Sequence, residues 1–435
     1  MKLLDALADL RRKDPAAPAL RDGREALDRD ALAARIDGRA EELSKTAPEI
    51  VPLDASDPTG AAIDFFAARA VGRTAVAHAR AIPHALREER EARLRGLLPP
   101  LSDETVFYSS GSVAAGKAVP LSEDRLLFAA FAFPERTGIG AADRVAVGVS
   151  VGQIFGFLRG VLNALLVGAE TLFYSPRRDP IGEAAALGAT FLLLSAEQVR
   201  LAAASNAPAR LRGVLSGGAP MADAFADAIE SRRHVPVRLG YGLTESTGLG
   251  TRQHLDRPRR AGSAGLPAPG VGIDAVAPDG TALGPRETGE IRMSGPAIFR
   301  GYADPREPAP FDETGRLRTG DLGFRDEEGE LHVRGRAASS IVSRGRILCA
   351  EELEKVVLEQ PGVSDVAAVP IGDAFGLLLV GGDASERFLE SMRESLSRRL
   401  PAFARPRRLR RVEAIPRAPS GKVDRVAALR CFESP

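Results

Sequence analysis

At 435 residues the chain is long for a single hydrophobic core and implies at least two domains. Its net charge of +1 argues against a dedicated nucleic-acid binder, and its two cysteines, Cys349 and Cys431, provide no disulfide framework. No Cys/His cluster has zinc spacing and no apolar run reaches membrane-spanning length, so the composition fits a globular protein of the reducing cytoplasm.

The first ten residues carry two acids among apolar positions and read as a short amphipathic helix, not a signal peptide. Up to about residue 100, helical periodicity such as Asp28 to Leu43 alternates with apolar strands at Ile50 to Leu53 and Ala75 to His78. Asp103 to Tyr108 predicts a strand that enters the small-residue loop Ser109 to Lys117. Strands follow at Arg144 to Val149, Thr171 to Tyr174, Phe191 to Leu194 and Leu211 to Leu215, with helices at Ile154 to Leu166 and Met221 to Arg232. This alternation predicts α/β architecture, with loops at the carboxyl ends of parallel strands where ligands bind. From about Arg259 the pattern becomes Gly- and Pro-rich short strands, including Gly289 to Met293 and Glu330 to Arg334, as expected of a small antiparallel or β-barrel-like subdomain. A smaller α+β unit then follows, with helices at Glu351 to Leu358 and Glu386 to Leu400 around a strand at Ser364 to Pro370. The expected division is 1–336 and 337–435, with a joint at 336–340.

Four stretches carry chemistry. Leu239 to Gly248 sets Tyr241, Thr244 and Glu245 in a glycine-punctuated turn. There Gly240 and Gly242 are expected to take positive φ, while the hydroxyl and carboxylate suit a phosphate oxygen and a hard divalent cation. Gly111 to Lys117 has the spacing of a phosphate-binding P-loop. However, Ala118 stands where such a loop needs a metal-binding hydroxyl, and Pro120 predicts a strand where a helix would be needed. A loop of hydroxyls and glycines can still cradle pyrophosphate through backbone N–H groups. Thr319 to Gly323 places Asp321 between glycine-flanked turns, where a carboxylate can accept both hydrogen bonds of a vicinal diol; an Asx-turn is the alternative. Pro419-Ser-Gly-Lys422 restrains a lysine in a chain with only six, so its charge can be positioned.

Taken in order, Ser109 to Lys117, Gly217 to Pro220, Tyr241 to Glu245, Gly289 to Tyr302, Thr319 to Gly323, Gly335-Arg336, Glu351 to Glu354 and Pro419 to Lys422 resemble the adenylate-forming superfamily. That family includes acyl- and aryl-CoA synthetases, luciferases and the adenylation domains of peptide synthetases. The resemblance implies a large α/β N-terminal domain (two αβα layers plus a small β-barrel-like subdomain) and a smaller mobile α+β C-terminal domain that carries the catalytic lysine.

It implies an ATP- and Mg²⁺-dependent enzyme that makes acyl- or aryl-AMP and passes the acyl group to CoA or to the phosphopantetheine of an acyl carrier protein. Carried over by position, Ser109, Ser110, Gly111, Ser112 and Lys117 would hold pyrophosphate, Tyr241 with Gly242 the adenine and Thr244 the α-phosphate. Glu245 would hold Mg²⁺, Asp321 the ribose with Arg336 nearby, and Lys422 would bridge the substrate carboxylate and the α-phosphate. Gly217, Gly218 and Ala219 would wall both adenine and acyl pocket, the latter lined also by Gln153, Phe155, Gly156 and Leu243. These apolar and small residues suit a hydroxybenzoate-like aryl acid or a short to medium acyl acid.

The chain departs from the family pattern at Val113, Ala114, Gly116 and Ala118 of the loop, at Gln153 where a His is usual, and at Ala338 in the hinge. A non-catalytic nucleotide-binding homologue is therefore the alternative. The arginines of 398–411 form a basic stretch for CoA phosphates or an acidic carrier protein, or simply a solvated face.

Overall fold

Apolar four-residue runs bounded by turn residues dictate the centre of the protein. Phe191–Leu194 has all four side chains buried because parallel strands flank it on both sides and both of its faces are covered. Around it runs a nine-stranded sheet in the spatial order Leu266–Pro267, Thr251–Arg252, Val237–Tyr241, Gly213–Gly217, Phe191–Leu194, Arg144–Val147, Glu170–Phe173, Pro18–Arg21 and Ala26–Asp28. A second sheet orders Ile50–Asp54, Thr74–His78, Glu104–Tyr108 and Ala118–Ser122. The computed structural model describes residues 2–79, 82–97, 104–109, 116–204, 210–219, 221–343, 346–372, 374–382, 386–417 and 423–432.

Local chemistry sets the helix starts. The Asp28 side chain accepts from the N–H of Ala31 and opens Arg29–Thr46, while Asp57 and Pro58 open Pro58–Ala70. The helix expected at Ile154 to Leu166 is continuous, but its middle, Phe157–Asn163, is π-helical and wholly buried. Phe157 meets Phe65 at 4.8 Å and Phe107 of the second sheet at 5.6 Å between ring centroids. Truncating such a ring typically costs about 3–5 kcal/mol.

Two compact units divide the chain. The first comprises Met1–Ala219, Phe225–Ile273 and Met293–Arg318; the second comprises Pro220–Ala224, Asp274–Arg292 and Thr319–Pro435. The Gly- and Pro-rich stretch forms a four-stranded sheet ordered Gly272–Val276, Gly289–Ser294, Leu317–Arg325 and Leu331–Arg336. Further on, Val363–Ile371, Ala374–Gly381 and Arg408–Arg411 form a three-stranded sheet. Helices Ala350–Leu358 and Glu386–Arg399 pack on it through Leu353, Val357, Met392 and Leu396. The architecture is a large α/β N-terminal part with a smaller α+β C-terminal part.

One expectation fails here. Thr319 to Gly323 is not a pair of turns: it lies inside the nine-residue strand Leu317–Arg325, with Gly320 at φ +68° and a register shift between Leu322 and Gly323. The glycines serve a bulge, which re-aims the strand without ending it.

Candidate functional site

In the first unit, candidate residues gather at the carboxyl ends of parallel strands. Val237–Tyr241 delivers Tyr241, and the chain then tightens into a single 3₁₀ turn, Thr244–Ser246. The turn closes on itself, with the N–H of Gly248 donating to the Leu243 carbonyl at 2.8 Å and that of Thr247 to Thr244 at 3.0 Å. Tyr241, Gly242, Leu243, Thr244 and Glu245 are all half-buried. The positive φ expected at Gly240 and Gly242 falls instead on Thr247 and Gly248. What glycine provides at the earlier positions is room: a Cβ would lie 2.7 Å from the Arg252 guanidinium carbon at Gly240 and 2.8 Å from the Gly248 backbone at Gly242.

Glu245 is oriented from a distance in sequence. The hydroxyl of Tyr302 donates to its Oε1 at 3.0 Å, and the N–H of Phe299 donates to its main-chain carbonyl at 2.9 Å. The Lys117 ammonium lies 4.6 Å from the centroid of the same Tyr302 ring and pairs with Glu307 at 3.0 Å. The structure thus brings the loop lysine and the Glu245 carboxylate to opposite parts of one side chain.

The base of the loop is closed where the N–H of Ser109 donates to the Lys117 carbonyl at 2.9 Å. Beyond Lys117 the chain enters strand Ala118–Ser122, paired antiparallel with Glu104–Tyr108, and Pro120 sits on that sheet's edge. This is not the strand-to-helix geometry of a P-loop. Ser110, Gly111 and Ser112, with Val113 and Ala114, lie outside the described residues.

Beside the loop base stands a stack with no local pattern in sequence. Arg90 lies 4.2 Å from the Tyr108 ring centroid, and the His78 ring is stacked with Tyr108 at 5.7 Å and 18°. His78 Nε2 faces Glu91 Oε1 at 3.1 Å, and burial pushes the imidazole down to about 4, with Glu91 opposing.

The proposed acyl wall is also partly assembled. A Cβ at Gly217 would come within 3.9 Å of the Phe155 ring, and Gly218, at φ +83°, opens to empty space, as the exposed Ala219 does to solvent. Gln153 is exposed at the N-cap of the central helix, whereas Gly156 is buried with the Ser150 carbonyl where its side chain would be.

Beneath this wall lie two buried guanidiniums that meet no carboxylate among the described residues. Arg159 donates to the carbonyls of Ala129 at 2.9 Å and Gly248 at 3.1 Å, and Arg252 donates to that of Ser216 at 3.1 Å. Both lie against Phe133, at 3.9 and 4.8 Å. Burial lowers both pKa values, that of Arg252 to about 9.

In the second unit the strand register sets Asp321 opposite Arg336, and Arg336 Nε meets Asp321 Oδ1 at 2.7 Å. The Asp321 side chain is 7% exposed and that of Arg336 44%, so the carboxylate is fixed while the fork reaches solvent. Arg336 also donates to the Thr319 carbonyl at 3.1 Å. Ala338 lies in the single 3₁₀ turn Ala337–Ser339. Lys422 lies outside the described residues; a bridge between Arg417 and Val423 brackets its segment. In the basic stretch, Arg399 pairs with Glu359, while Arg405 and Arg411 donate to main-chain carbonyls.

Among the described residues no group of three or more His, Cys, Asp or Glu could hold a metal ion. Glu245 offers a lone carboxylate, which fits a magnesium ion that takes most of its ligands from phosphate and water. No helix among the described residues is long and apolar enough to cross a membrane.

Comparison with known proteins places the chain in a family. The sequence model of AMP-binding enzymes matches residues 54–303, and that of the AMP-binding enzyme C-terminal domain matches residues 352–422. A probable CoA ligase, CCL5, of Humulus lupulus is 31% identical over 340 residues, covering 73% of this chain and 62% of the relative. A sulfoacetate–CoA ligase of Cupriavidus necator is 29% identical over 350 residues, covering 77% and 68%. The chain thus spans about three fifths of the length of the first of these relatives. ATP-bound MatB from Rhodopseudomonas palustris superposes with a TM-score of 0.86 at 20% identity, covering 100% of this chain and 99% of that one. The o-succinylbenzoate CoA synthetase of Bacillus subtilis, in complex with its acyl-adenylate, gives 0.84 at 21% identity, covering 97% of each. At these identities the structures establish the fold.

Proposed function

Because the chain belongs to the AMP-binding enzymes of the adenylate-forming superfamily, we propose that it is an ATP-dependent ligase that activates a small carboxylic acid and transfers it to a pantetheine thiol. The observation that carries this reading is the placement of Glu245 and Lys117 around Tyr302, a carboxylate for a cation and an ammonium for a polyphosphate set on different parts of one side chain.

In the first step an oxygen of the substrate carboxylate attacks the α-phosphorus, the bond to the β-phosphate bridging oxygen breaks, and pyrophosphate leaves. Lys117 and the loop from Ser109 bind the departing pyrophosphate; Thr244 binds the α-phosphate and Tyr241 packs on adenine. Glu245 would hold the magnesium ion, which when bound offsets charge on the phosphate oxygens. Asp321 with Arg336 holds the ribose hydroxyls. Lys422, in a C-terminal domain beginning at 337, bridges the carboxylate and the α-phosphate and acts in this step only. In the second step the thiol sulfur attacks the carbonyl carbon of the mixed anhydride, losing its proton, and AMP leaves.

Phe155, Gly217 and Leu243 favour a flat aryl acid or a short acyl acid. CoA is the acceptor in the names of the relatives, and a carrier-protein phosphopantetheine has the same reactive arm. Acid-dependent ATP–pyrophosphate exchange across a panel of carboxylic acids tests the reading. Thioester assays with CoA and with a phosphopantetheinylated carrier protein then choose the acceptor. Lys422→Ala is expected to lose exchange by about a hundredfold or more yet still convert supplied acyl-AMP to thioester. Absence of exchange with every acid overturns the proposal in favour of a nucleotide-binding protein without turnover.

A further inference from the structure

The stretch from Gly289 to Tyr302 follows the family order, yet its sequence gives Tyr302 no task. Its surroundings do. The Tyr302 hydroxyl donates to Glu245 Oε1 at 3.0 Å, and the Lys117 ammonium lies 4.6 Å from the centre of its ring. Phe299 packs edge-on to that ring at 5.0 Å and is itself packed against Phe311 at 5.6 Å, so the ring has little freedom to turn.

The backbone around it is tied at three points. The N–H of Phe299 donates to the Glu245 carbonyl, the hydroxyl of Thr247 donates to the Ala297 carbonyl at 2.6 Å, and the N–H of Ala303 donates to the Ala118 carbonyl at 2.9 Å. Two of these ties reach the turn that bears Glu245, and the third reaches the strand that follows Lys117.

We propose that Tyr302 is a positioning residue that presents Glu245 to the divalent cation and Lys117 to the polyphosphate, while keeping the two from neutralising each other. A neutral phenol occupies one lone-pair direction of the carboxylate and leaves the remaining acceptor sites of both oxygens for a cation. The aromatic face attracts the ammonium without using a carboxylate oxygen. Had Lys117 paired directly with Glu245, an arriving cation would have had to displace it. Lys117 instead rests on Glu307, with both side chains slightly more than a quarter exposed, where polyphosphate can compete for it.

The inference rests on the adenylation reading, and its test separates the two. Tyr302→Phe keeps the ring and removes only the hydroxyl; Tyr302→Leu removes both. Calorimetric titration of the full chain with a non-hydrolysable ATP analogue, with and without Mg²⁺, reads binding without turnover. Tyr302→Phe is expected to leave metal-free affinity unchanged while raising the Mg²⁺ concentration for half-maximal tightening by about tenfold, the scale of one hydrogen bond to a charged group. Excess Mg²⁺ is expected to restore its wild-type kcat in the exchange assay. Tyr302→Leu is expected to lose metal-free affinity as well.

A Mg²⁺ dependence of Tyr302→Phe equal to that of the wild type overturns the proposal. So does a kcat loss that excess Mg²⁺ does not restore, because that is the signature of a merely structural role. A wild-type chain that neither binds the analogue nor exchanges pyrophosphate overturns the adenylation reading and this inference with it, whereas a binding and exchanging wild type confines any failure to Tyr302.

Discussion

At the candidate site of the first unit two opposite charges are set around one aromatic side chain, with Lys117 also resting on Glu307; at that of the second, a carboxylate and a guanidinium pair directly. Lys117 and Glu245 share Tyr302, and Arg90 and His78 both lie against the Tyr108 ring. Asp321, by contrast, is locked onto Arg336 at 2.7 Å, and Arg425 pairs with Glu351 and Glu354. The Tyr302 ring separates Lys117 from Glu245 without cancelling either, so Glu245 keeps acceptor capacity for a ligand while Lys117 rests on the part-exposed Glu307. A direct pair fixes geometry but commits that capacity, and a ligand must then share the carboxylate. The difference suits the roles proposed for them, a polyphosphate and its cation on one hand and a neutral diol on the other.

The stacked side breaks with acid. His78 sits near 4 in the fold and near 6.5 unfolded, chiefly because burial disfavours its charge, with Arg87 and Arg90 adding to the shift and Glu91 opposing it. Between those values the unfolded chain binds the extra proton, so stability falls as pH drops from 6.5 toward 4, by up to about 3 kcal/mol. Denaturant titrations at pH 7 and 4.5 check this: His78→Asn is expected to lose less stability over that interval than the native chain, and parallel losses would contradict it.

The paired side is probed by Asp321→Ala, which leaves the solvent-reaching Arg336 in place but removes the acceptor. The KM for ATP is expected to rise about tenfold or more, with that for the acid unchanged, in steady-state adenylation kinetics at varied ATP and varied acid. Smallest is Glu307→Gln, which frees Lys117 from its resting partner. The KM for ATP is expected to fall two- to fivefold, roughly the worth of a partly exposed ion pair; a rise would show that Glu307 positions Lys117 instead of competing for it.

Much of the fold could be read from residue order because its strands are short apolar runs whose burial is continuous, as at Phe191–Leu194, and its helices begin at side-chain caps such as Asp28. The segment at Thr319 to Gly323 misled because glycine marks a bulge as readily as a turn, and only pairing with Leu331–Arg336 tells them apart. Gly240 and Gly242 misled in a similar way: their need for space comes from Arg252 and Gly248, which composition does not place beside them. Tyr302 lies 57 residues from Glu245, and the Arg90–Tyr108 stack joins a helix to a strand end, so neither contact has a local pattern. One signal was present. The chain has only four tyrosines, and Tyr108, Tyr241 and Tyr302 all fall in or beside motifs.

Arg159 and Arg252 have a consequence for how this protein can change over generations. Their guanidiniums grip main-chain carbonyls at Gly248, Ala129 and Ser216, and a carbonyl is the same whatever side chain its residue bears. The hydrogen bonds under the turn and under the end of strand Gly213–Gly217 therefore do not depend on the side chains above, although the Arg252 guanidinium also lies 5.8 Å from the Phe155 ring centroid. Leu243, in the proposed acyl wall, can be exchanged while the backbone beneath it stays pinned by these carbonyl contacts, which leaves that part of the proposed wall free to diversify. Arg159 does not share that freedom, because a lysine has no planar fork with which to reach the Ala129 and Gly248 carbonyls at once.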